Sequence, residues 1–329
     1  MSMLNARITG LASYAPEDIL DNEMLSKMVD TNDEWITSRV GIKERRILKE
    51  EGKGSSFLGM KAVNALLEQT GTKPEEVDLL ICATSNPDYR FPSTGSVIAH
   101  DCGLTNAYAY DIQAACAGFL VALQDGAAYV KSGLRKKVIV VAAEKMSSMT
   151  NYKDRATCPL FGDGAGAMLL EPTDRPVGII DGVFHVDGCG KEHLWMPAGG
   201  SVLPASHETI DADQHYVIQD GRMVYKHAVT DMLNSTVEVM ERNGLTAENI
   251  DYYCTHQANL RIIEAVGSRL GIAPEKVLVN IQKYGNTSAA SIPLCLDEFK
   301  AQLKPGDKIV LTAFGAGFTW GALYIIWDI

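Results

Sequence analysis

Short apolar segments rich in β-branched residues recur along the chain, with amphipathic segments between them. Residues 56–69 and 230–243 carry apolar positions at helical spacing and stop near Gly71 and Gly244. Charged or turn residues bound the apolar segments, which predicts buried strands at 77–82, 108–112, 137–142 and 308–313. Alternating strands and helices indicate a layered α/β fold.

Three segments of the first half recur, in the same order, in the second half. The similar pairs are 76–82 with 249–254, 137–141 with 308–311, and 161–167 with 314–320. Chance similarity between short apolar strands is the weaker explanation for any single pair, and it explains an ordered set of three poorly. The pattern therefore predicts a duplicated α/β unit, with halves at 1–175 and 176–329 and a site where the halves meet.

Composition and charge exclude several classes of protein. A chain of 329 residues with 46% hydrophobic and 22% charged residues has the usage of a soluble globular protein. A net charge of -11 argues against nucleic-acid binding, which needs a basic face. No basic start precedes an apolar run, and no apolar stretch is long enough to cross a membrane. Seven scattered cysteines without a C-x-x-C pair predict reduced thiols, and the expected compartment is the cytoplasm.

Cys116 is the candidate nucleophile. It lies where a predicted strand ends and an almost wholly apolar helix over 117–130 begins. A helix that is apolar on all sides must be buried, and a cysteine at its start faces unpaired backbone N–H groups and the positive end of the helix dipole. Both features favour a thiolate. A small buried apolar cysteine without a chemical role is the alternative.

His256 and Asn286 are the candidate partners of Cys116. Each follows a predicted strand in a polar loop, which is where an α/β sheet presents ligands. Either residue alone is more often a helix cap or a satisfied turn residue. A cysteine, a histidine and an asparagine at strand ends of one duplicated fold form a stronger signal than any one of them.

At this point the motifs resemble the β-ketoacyl-acyl carrier protein synthase III family, and the likeness covers nearly the whole chain. The segments that carry it are 33–36, 41–46, 114–119, 161–166, 256–259, 284–288 and 317–321. The resemblance implies a thiolase-like fold of five αβαβα layers. It also implies a decarboxylative condensation of a short acyl-CoA, most simply acetyl-CoA, with malonyl-acyl carrier protein. No metal and no cofactor beyond the CoA thioester substrate are implied.

The resemblance also implies roles for individual residues. Backbone N–H groups of Cys116 and Ala316 are expected to stabilise the oxyanion, although Ala316 stands where the family commonly has glycine. The expected CoA-binding residues are Trp35, Arg39, Arg155 and Asn259. The expected patch for the acidic carrier protein is Lys226, Arg261 and Arg269, whereas composition alone makes these ordinary helix-face charges. Phe91 is expected to close the acyl pocket from a neighbouring subunit, in a homodimer.

Two further features depart from the family pattern. Arg222 replaces a small polar residue near the expected CoA entrance. The segment 188–220 is rich in glycine and proline and predicts a surface excursion. Its histidines, His193, His207 and His215, have no compact metal-ligand spacing.

Four other functions compete with this interpretation. A degradative thiolase needs a second cysteine in the loop 314–320, which has none. A Cys-His-Asn hydrolase fits the same triad without malonyl groups. A condensing enzyme of polyketide or quinolone synthesis differs mainly in its acyl or acceptor pocket. A non-catalytic acyl-CoA-binding scaffold has no need of Cys116, His256 and Asn286 together.

Overall fold

The computed structural model describes residues 4–329. Its strands are β1 (Asn5–Tyr14), β2 (Ile19–Asp21), β3 (Glu44–Arg46), β4 (Leu79–Ala83), β5 (Tyr108–Ile112), β6 (Val138–Lys145), β7 (Asp163–Thr173), β8 (Gly178–Val186), β9 (Leu194–Trp195), β10 (Ile218–Gln219), β11 (Tyr252–Thr255), β12 (Val277–Leu278), β13 (Lys308–Gly315) and β14 (Thr319–Ile326). Its helices are α1 (Asn22–Ser26), α2 (Asp33–Val40), α3 (Ser55–Thr70), α4 (Thr94–Asp101), α5 (Gly118–Lys131), α6 (His207–Asp211), α7 (Gly221–Arg242), α8 (Leu260–Arg269), α9 (Ile281–Tyr284) and α10 (Ser291–Phe299).

The main sheet repeats one topology twice. Its strand order is β12-β11-β13-β14-β8-β1-β7-β6-β4-β5. Strands β1 and β8 meet only at the pair Ala6 and Ile179, so the sheet consists of two five-stranded parts. The order β1-β7-β6-β4-β5 in one part corresponds to β8-β14-β13-β11-β12 in the other. In each part the third strand pairs antiparallel with the second and parallel with the fourth. The predicted duplication is confirmed.

Helices lie between the two sheet parts and on both outer faces. Helices α5 and α10 fill the space between the parts, where Leu120 and Leu296 share a core with Val140 and Leu311. Helices α3 and α4 cover the outer face of the first part, and α7 and α8 cover that of the second. The five αβαβα layers implied by the resemblance are therefore present, and the buried helix at 117–130 is confirmed as α5.

The predicted boundaries are close to those of the structure. Strand β5 has the predicted bounds, but it is only partly buried and not the buried strand predicted, because it lies at the edge of the sheet. Helix α3 ends at Gly71, whose φ of +64° lies in the left-handed region that favours glycine. Helix α7 begins earlier than predicted, at Gly221. The reason is the Asp220 carboxylate, which accepts hydrogen bonds from the first free backbone N–H groups of the helix.

The predicted boundary between halves, at 175 and 176, falls in the turn between β7 and β8. That the halves are separate domains stays a prediction. Within residues 4–329, none of the helices combines the length and apolar character needed to cross a bilayer.

Candidate active site

Cys116 lies in a single 3-10 turn, Ala115–Ala117, between β5 and α5. The turn is tight: Ala117 N donates to Ala114 O at 3.1 Å, and Ala115 has a left-handed φ of +46°. Because α5 is buried between the sheet parts, its N-terminal end places Cys116 in the middle layer. The cysteine is only partly buried, since its side chain borders a cavity.

The state of the thiol differs from the sequence-based expectation. Burial raises the pKa of Cys116 to about 12, while the Ser288 side chain and the backbone N–H of Cys116 act in the opposite direction. The resting group is therefore a thiol at neutral pH. The expectation of a resting thiolate is wrong, because loss of water outweighs the favourable groups at the start of the helix. The thiol must lose its proton during the reaction.

His256 follows β11 and is held by both its backbone and its ring. Its N–H donates to Thr312 O on β13 at 2.8 Å, and its Nδ1 lies 2.7 Å from Ser291 Oγ. Ser291 Oγ accepts from Gln257 N at 3.2 Å, which leaves the hydroxyl proton for His256 Nδ1. This hydrogen-bond network assigns the ring proton to Nε2. Burial lowers the pKa of the imidazole to about 3, so the ring is a neutral donor.

Asn286 is anchored by the first half of the chain. Its N–H donates to Leu160 O at 2.8 Å, and its carbonyl accepts from Gly162 N at 3.0 Å. Its Oδ1 accepts from Ser288 N at 2.8 Å, so the network leaves the carboxamide Nδ2 to donate elsewhere. Gly285 makes this approach possible: it has a φ of +63°, and an added Cβ would lie 2.7 Å from Leu160 O.

The glycine-rich loop 314–320 lies directly against the backbone of Cys116. A Cβ added at Gly315, the last residue of β13, would lie 2.6 Å from Cys116 N. Only glycine permits this approach of two backbones. Ala316, the next residue, lines the same cavity as Cys116. The second half of the chain thus supplies backbone next to the cysteine of the first half.

The side chains of Cys116, His256 and Asn286 line one cavity of about 970 Å³. Cys116 comes from the first half, whereas His256 and Asn286 come from the second. The structure therefore brings together the three residues that the sequence singled out at separate strand ends. A thiol, a neutral imidazole donor and a carboxamide donor around one cavity can form an acyl-enzyme and hold a developing negative charge.

Three of the four expected CoA-binding residues line this cavity, and the fourth, Arg155, does not. Trp35, Arg39 and Asn259 line it, and Asn259 also caps α8 by accepting from Arg261 N at 2.9 Å. Arg155 lies over the Trp35 ring, with its guanidinium carbon 4.7 Å from the centroid. A flat base between them needs about 7 Å, which is two van der Waals contacts of ~3.5 Å. Arg155 must move before a base can stack between the two side chains.

The other predicted site residues do not all lie at this cavity. Arg261 borders the cavity and lies over the Tyr225 ring at 5.6 Å, whereas Lys226 on α7 and Arg269 on α8 are exposed and do not line it. Phe91 does not line it either, and 86% of its surface is exposed. Arg222 does border it. The carrier-protein and acyl-pocket roles stay predictions.

The segment 188–220 is not the simple surface excursion that its composition predicted. It contains β9, α6 and β10, and Leu194, Trp195, Met196 and Val217 form part of the cavity wall. Glycine-rich composition did not show that these apolar residues pack against the site. Within residues 4–329, no group of three or more His, Cys, Asp or Glu side chains is arranged to hold a metal ion.

Comparisons with known proteins agree with this geometry. Family models described as "3-Oxoacyl-[acyl-carrier-protein (ACP)] synthase III" and its "C terminal" part match residues 110–188 and 240–327. The chain is 55% identical to the "Beta-ketoacyl-[acyl-carrier-protein] synthase III" of Porphyromonas gingivalis, over 99% of this chain and 98% of the relative. The chain belongs to the β-ketoacyl-acyl carrier protein synthase III family. Membership makes it a condensing acyltransferase of the thiolase fold.

Two solved structures show how far the synthase III likeness extends. The 3-oxoacyl-[acyl-carrier-protein] synthase III of Aquifex aeolicus superposes with a TM-score of 0.90 at 41% identity, over 98% of this chain and 100% of that one. The priming β-ketosynthase from the R1128 polyketide pathway has a TM-score of 0.91 at 34% identity, over 98% and 96%. The same backbone therefore occurs in a polyketide pathway.

Three buried polar residues at the synthase III site were missed by the sequence analysis. Ser288 and Ser291 lie in the loop and helix that follow Asn286, and Glu144 ends β6. The signal for Glu144 was present in the sequence, as a lone acidic residue at the end of a strongly apolar strand. The serines gave no such signal, because hydroxyl residues after an asparagine are common in turns.

Proposed function

We propose that this synthase III chain starts fatty-acid synthesis by a two-stage condensation. In the first stage Cys116 takes a short acyl group, most simply acetyl, from acyl-CoA. In the second stage malonyl-acyl carrier protein loses carbon dioxide and accepts that acyl group. The observation that carries the proposal is the convergence of Cys116, His256 and Asn286, from opposite halves of the chain, on one cavity.

The first stage is an acyl transfer to sulfur. As Cys116 Sγ bonds to the thioester carbon, the thiol gives up its proton and the carbonyl oxygen gains negative charge. Backbone N–H groups of Cys116 and Ala316 are the proposed donors to that oxygen, and the close approach of Gly315 to Cys116 N supports this role. Collapse of the intermediate breaks the bond to the CoA sulfur and leaves the acyl-enzyme.

The second stage needs charge stabilisation and no strong base. When the malonyl carboxylate leaves as carbon dioxide, its electron pair moves onto the thioester and produces an enolate. His256 Nε2–H and Asn286 Nδ2–H are the proposed donors to the enolate oxygen. The low imidazole pKa supports this role, because a neutral ring donates without trapping the enolate as an ion pair. The enolate carbon then attacks the acyl carbon and Cys116 leaves as the thiolate.

Residues at and near the cavity are proposed to bind the two substrates. Trp35, Arg39 and Asn259 are proposed to hold CoA, with Arg155 moving to admit the adenine. Lys226, Arg261 and Arg269 are proposed to dock the acidic carrier protein, which reconciles a strongly acidic enzyme with an acidic partner.

We also propose a cytoplasmic homodimer in which Phe91 closes the acyl pocket of the partner subunit. The high exposure of Phe91 supports this role, since a large aromatic side chain so exposed suits contact with another chain.

A condensing enzyme of polyketide metabolism is the second candidate, and the likeness to the R1128 enzyme favours it. The two candidates share the triad and the chemistry, and they differ in primer and acceptor. Fatty-acid and polyketide carrier proteins offered in competition separate them.

The test uses radiolabelled acetyl-CoA with malonyl-acyl carrier protein. We expect label in the β-ketoacyl product together with release of carbon dioxide, whereas label recovered as acetate indicates a hydrolase. Cys116→Ser is expected to abolish acylation. His256→Ala and Asn286→Ala should retain acylation but lose decarboxylation. Full decarboxylation by Asn286→Ala refutes its assigned role. Cys189→Ser, at an exposed cysteine, is the matched control and should keep wild-type activity.

A further inference from the structure

Glu144 is a fully buried carboxyl group that the proposed reaction does not yet use. It lies at the end of β6, and Ser85 N donates to its two oxygens at 3.1 and 3.0 Å. Thr84 Oγ1 is a weaker donor at 3.4 Å, and the nearby Ser288 hydroxyl lowers the pKa of the Glu144 carboxyl. All of these donors are neutral. Burial of a carboxylate among neutral donors is costly, so its presence beside the site needs an explanation.

Ser288 connects Glu144 to the nucleophile. Its Oγ lies 3.3 Å from Ser85 Oγ, and it lines the same cavity as Cys116. Its side chain lowers the pKa of both the Glu144 carboxyl and the Cys116 thiol. Ser288 has a left-handed φ of +50°, unusual for a residue with a side chain. A hydroxyl has one proton to donate and two lone pairs. It can therefore accept from a thiol while donating to a carboxylate.

We propose that Glu144, acting through the Ser288 hydroxyl, receives the Cys116 proton during acylation and returns it when the condensed product leaves. The inference rests on the proposed function, because it needs Cys116 to be the residue that is acylated. Glu144 touches no substrate and acts only through Ser288.

Each proton is accounted for. In acylation, the S–H proton moves to Ser288 Oγ and the Ser288 proton moves to the Glu144 carboxylate. The sulfur bonds to the acyl carbon and CoA leaves as a thiolate that takes a proton from solvent. After condensation, Cys116 leaves as a thiolate, and the proton on Glu144 returns to it through Ser288. One solvent proton is consumed in each cycle, which balances the carboxylate lost as carbon dioxide.

The alternative acceptor, His256, is poorly suited. Its Nδ1 is already bonded to Ser291 Oγ, and burial lowers its pKa to about 3. Burial raises the pKa of Glu144 to about 7, so a carboxyl group there can both take up and release a proton near neutral pH. The negative charge of Glu144 also raises the pKa of Cys116. Proton uptake by Glu144 removes that charge as the sulfur becomes negative.

Other titratable groups near Glu144 are directed elsewhere. Cys82 on β4 has a pKa well above its ordinary value, because burial and nearby carboxylates disfavour its thiolate. Lys145, next to Glu144 on β6, donates its ammonium proton to a backbone carbonyl at 2.7 Å. Asp163 on β7 accepts from two backbone N–H groups and a hydroxyl. None of these three side chains bonds to Glu144 or Ser288.

The first test measures single-turnover acylation by radiolabelled acetyl-CoA from pH 5.5 to 9. For the wild type we expect the rate to rise through about pH 7, as Glu144 becomes the carboxylate that accepts the proton. Glu144→Gln and Ser288→Ala should both lose this pH-dependent rise and acylate about 100-fold more slowly at pH 8. A Glu144→Gln variant with the wild-type rate and pH profile overturns the proposal.

The second measurement uses the wild type, so that it does not depend on the folding of a variant. A time-resolved infrared difference spectrum at pH 8, started by rapid mixing with acetyl-CoA, should show a carboxylate converted transiently to a carboxylic acid. That acid then loses its proton to solvent, because pH 8 lies above its pKa of about 7. An acetylated enzyme without that signal overturns the proton transfer while leaving the proposed function intact. Absence of acetylation refutes the proposed function itself.

Asp163→Asn is the matched control, because Asp163 is another fully buried carboxyl group in the same sheet. It is expected to lower stability but to keep the pH profile of acylation and the infrared signal. If Asp163→Asn alters the profile as Glu144→Gln does, the effect is structural and the assignment to Glu144 fails.

Discussion

Replacing Ser291 with alanine tests whether the state of the His256 ring is set by one hydroxyl. Ser291 Oγ lies 2.7 Å from His256 Nδ1 and accepts from Gln257 N at 3.2 Å. In Ser291→Ala, the ring loses the bond that keeps its proton on Nε2. The buried Gln257 N–H also loses its acceptor.

The magnitudes follow from these two losses. One neutral hydrogen bond contributes about 1 kcal/mol net, which corresponds to roughly a fivefold change in rate. We therefore expect decarboxylation of malonyl-acyl carrier protein to slow by about 5-fold to 10-fold. An unsatisfied buried N–H costs about 1–3 kcal/mol, so the free energy of unfolding should fall by that amount. Acylation of Cys116 should not change, because the His256 ring takes no part in it.

The assay compares two rates in the same preparation: acetyl transfer to the enzyme and release of labelled carbon dioxide. Ser235→Ala is the control, since Ser235 is also fully buried and its hydroxyl bonds only to carbonyls of its own helix. Decarboxylation at the wild-type rate in Ser291→Ala refutes the assigned tautomer. Equal losses of both rates show a general disturbance of the site.

Three further predictions concern stability and substrate binding. The lowered pKa of His256 means that the folded state binds fewer protons than the unfolded state, so stability present above about pH 6.5 is lost as pH falls, by ~2 kcal/mol at pH 5. Urea unfolding should show this dependence of the free energy of unfolding on pH in the wild type and not in His256→Ala. Equal dependences in the two proteins contradict the prediction. Arg155→Ala removes a cation–π contact with Trp35 that contributes ~0.5–1 kcal/mol. It should raise KM for acetyl-CoA about 2-fold to 5-fold without changing kcat. A lower kcat contradicts a role in binding alone. Arg261→Glu should raise KM for malonyl-acyl carrier protein more than KM for acetyl-CoA. The control Lys304→Glu, near the start of β13, should not show this difference. Equal increases of KM for both substrates in Arg261→Glu refute carrier-protein docking at this residue.

The fold was largely predictable because its signals are local. The apolar run of β6 and the largely apolar helix α5 specify a strand and a buried helix from composition alone. The repeated order of three segments revealed the duplication, since each copy must form the same layers. Helix α7 was underestimated because the Asp220 cap lies upstream of the clear apolar pattern.

The site was predictable only in part. Cys116 and His256 follow strands as predicted, whereas Asn286 follows helix α9 and not a strand. All three residues nevertheless line one cavity. The protonation state of Cys116 could not be predicted, because the burial of its thiol depends on residues from both halves of the chain. The link from Cys116 through Ser288 to Glu144 joins segments far apart in the chain, and no local pattern indicates it.

Mass mapping of the acyl-enzyme tests directly whether Cys116 carries the acyl group. The protein is mixed with acetyl-CoA alone, digested, and each cysteine peptide is weighed; malonyl-acyl carrier protein is then added to a second sample. We expect one acetyl group, on the peptide that contains Cys116, stable until the malonyl substrate removes it. An acetyl group on another cysteine, or its loss to water before malonyl-acyl carrier protein is added, contradicts the account.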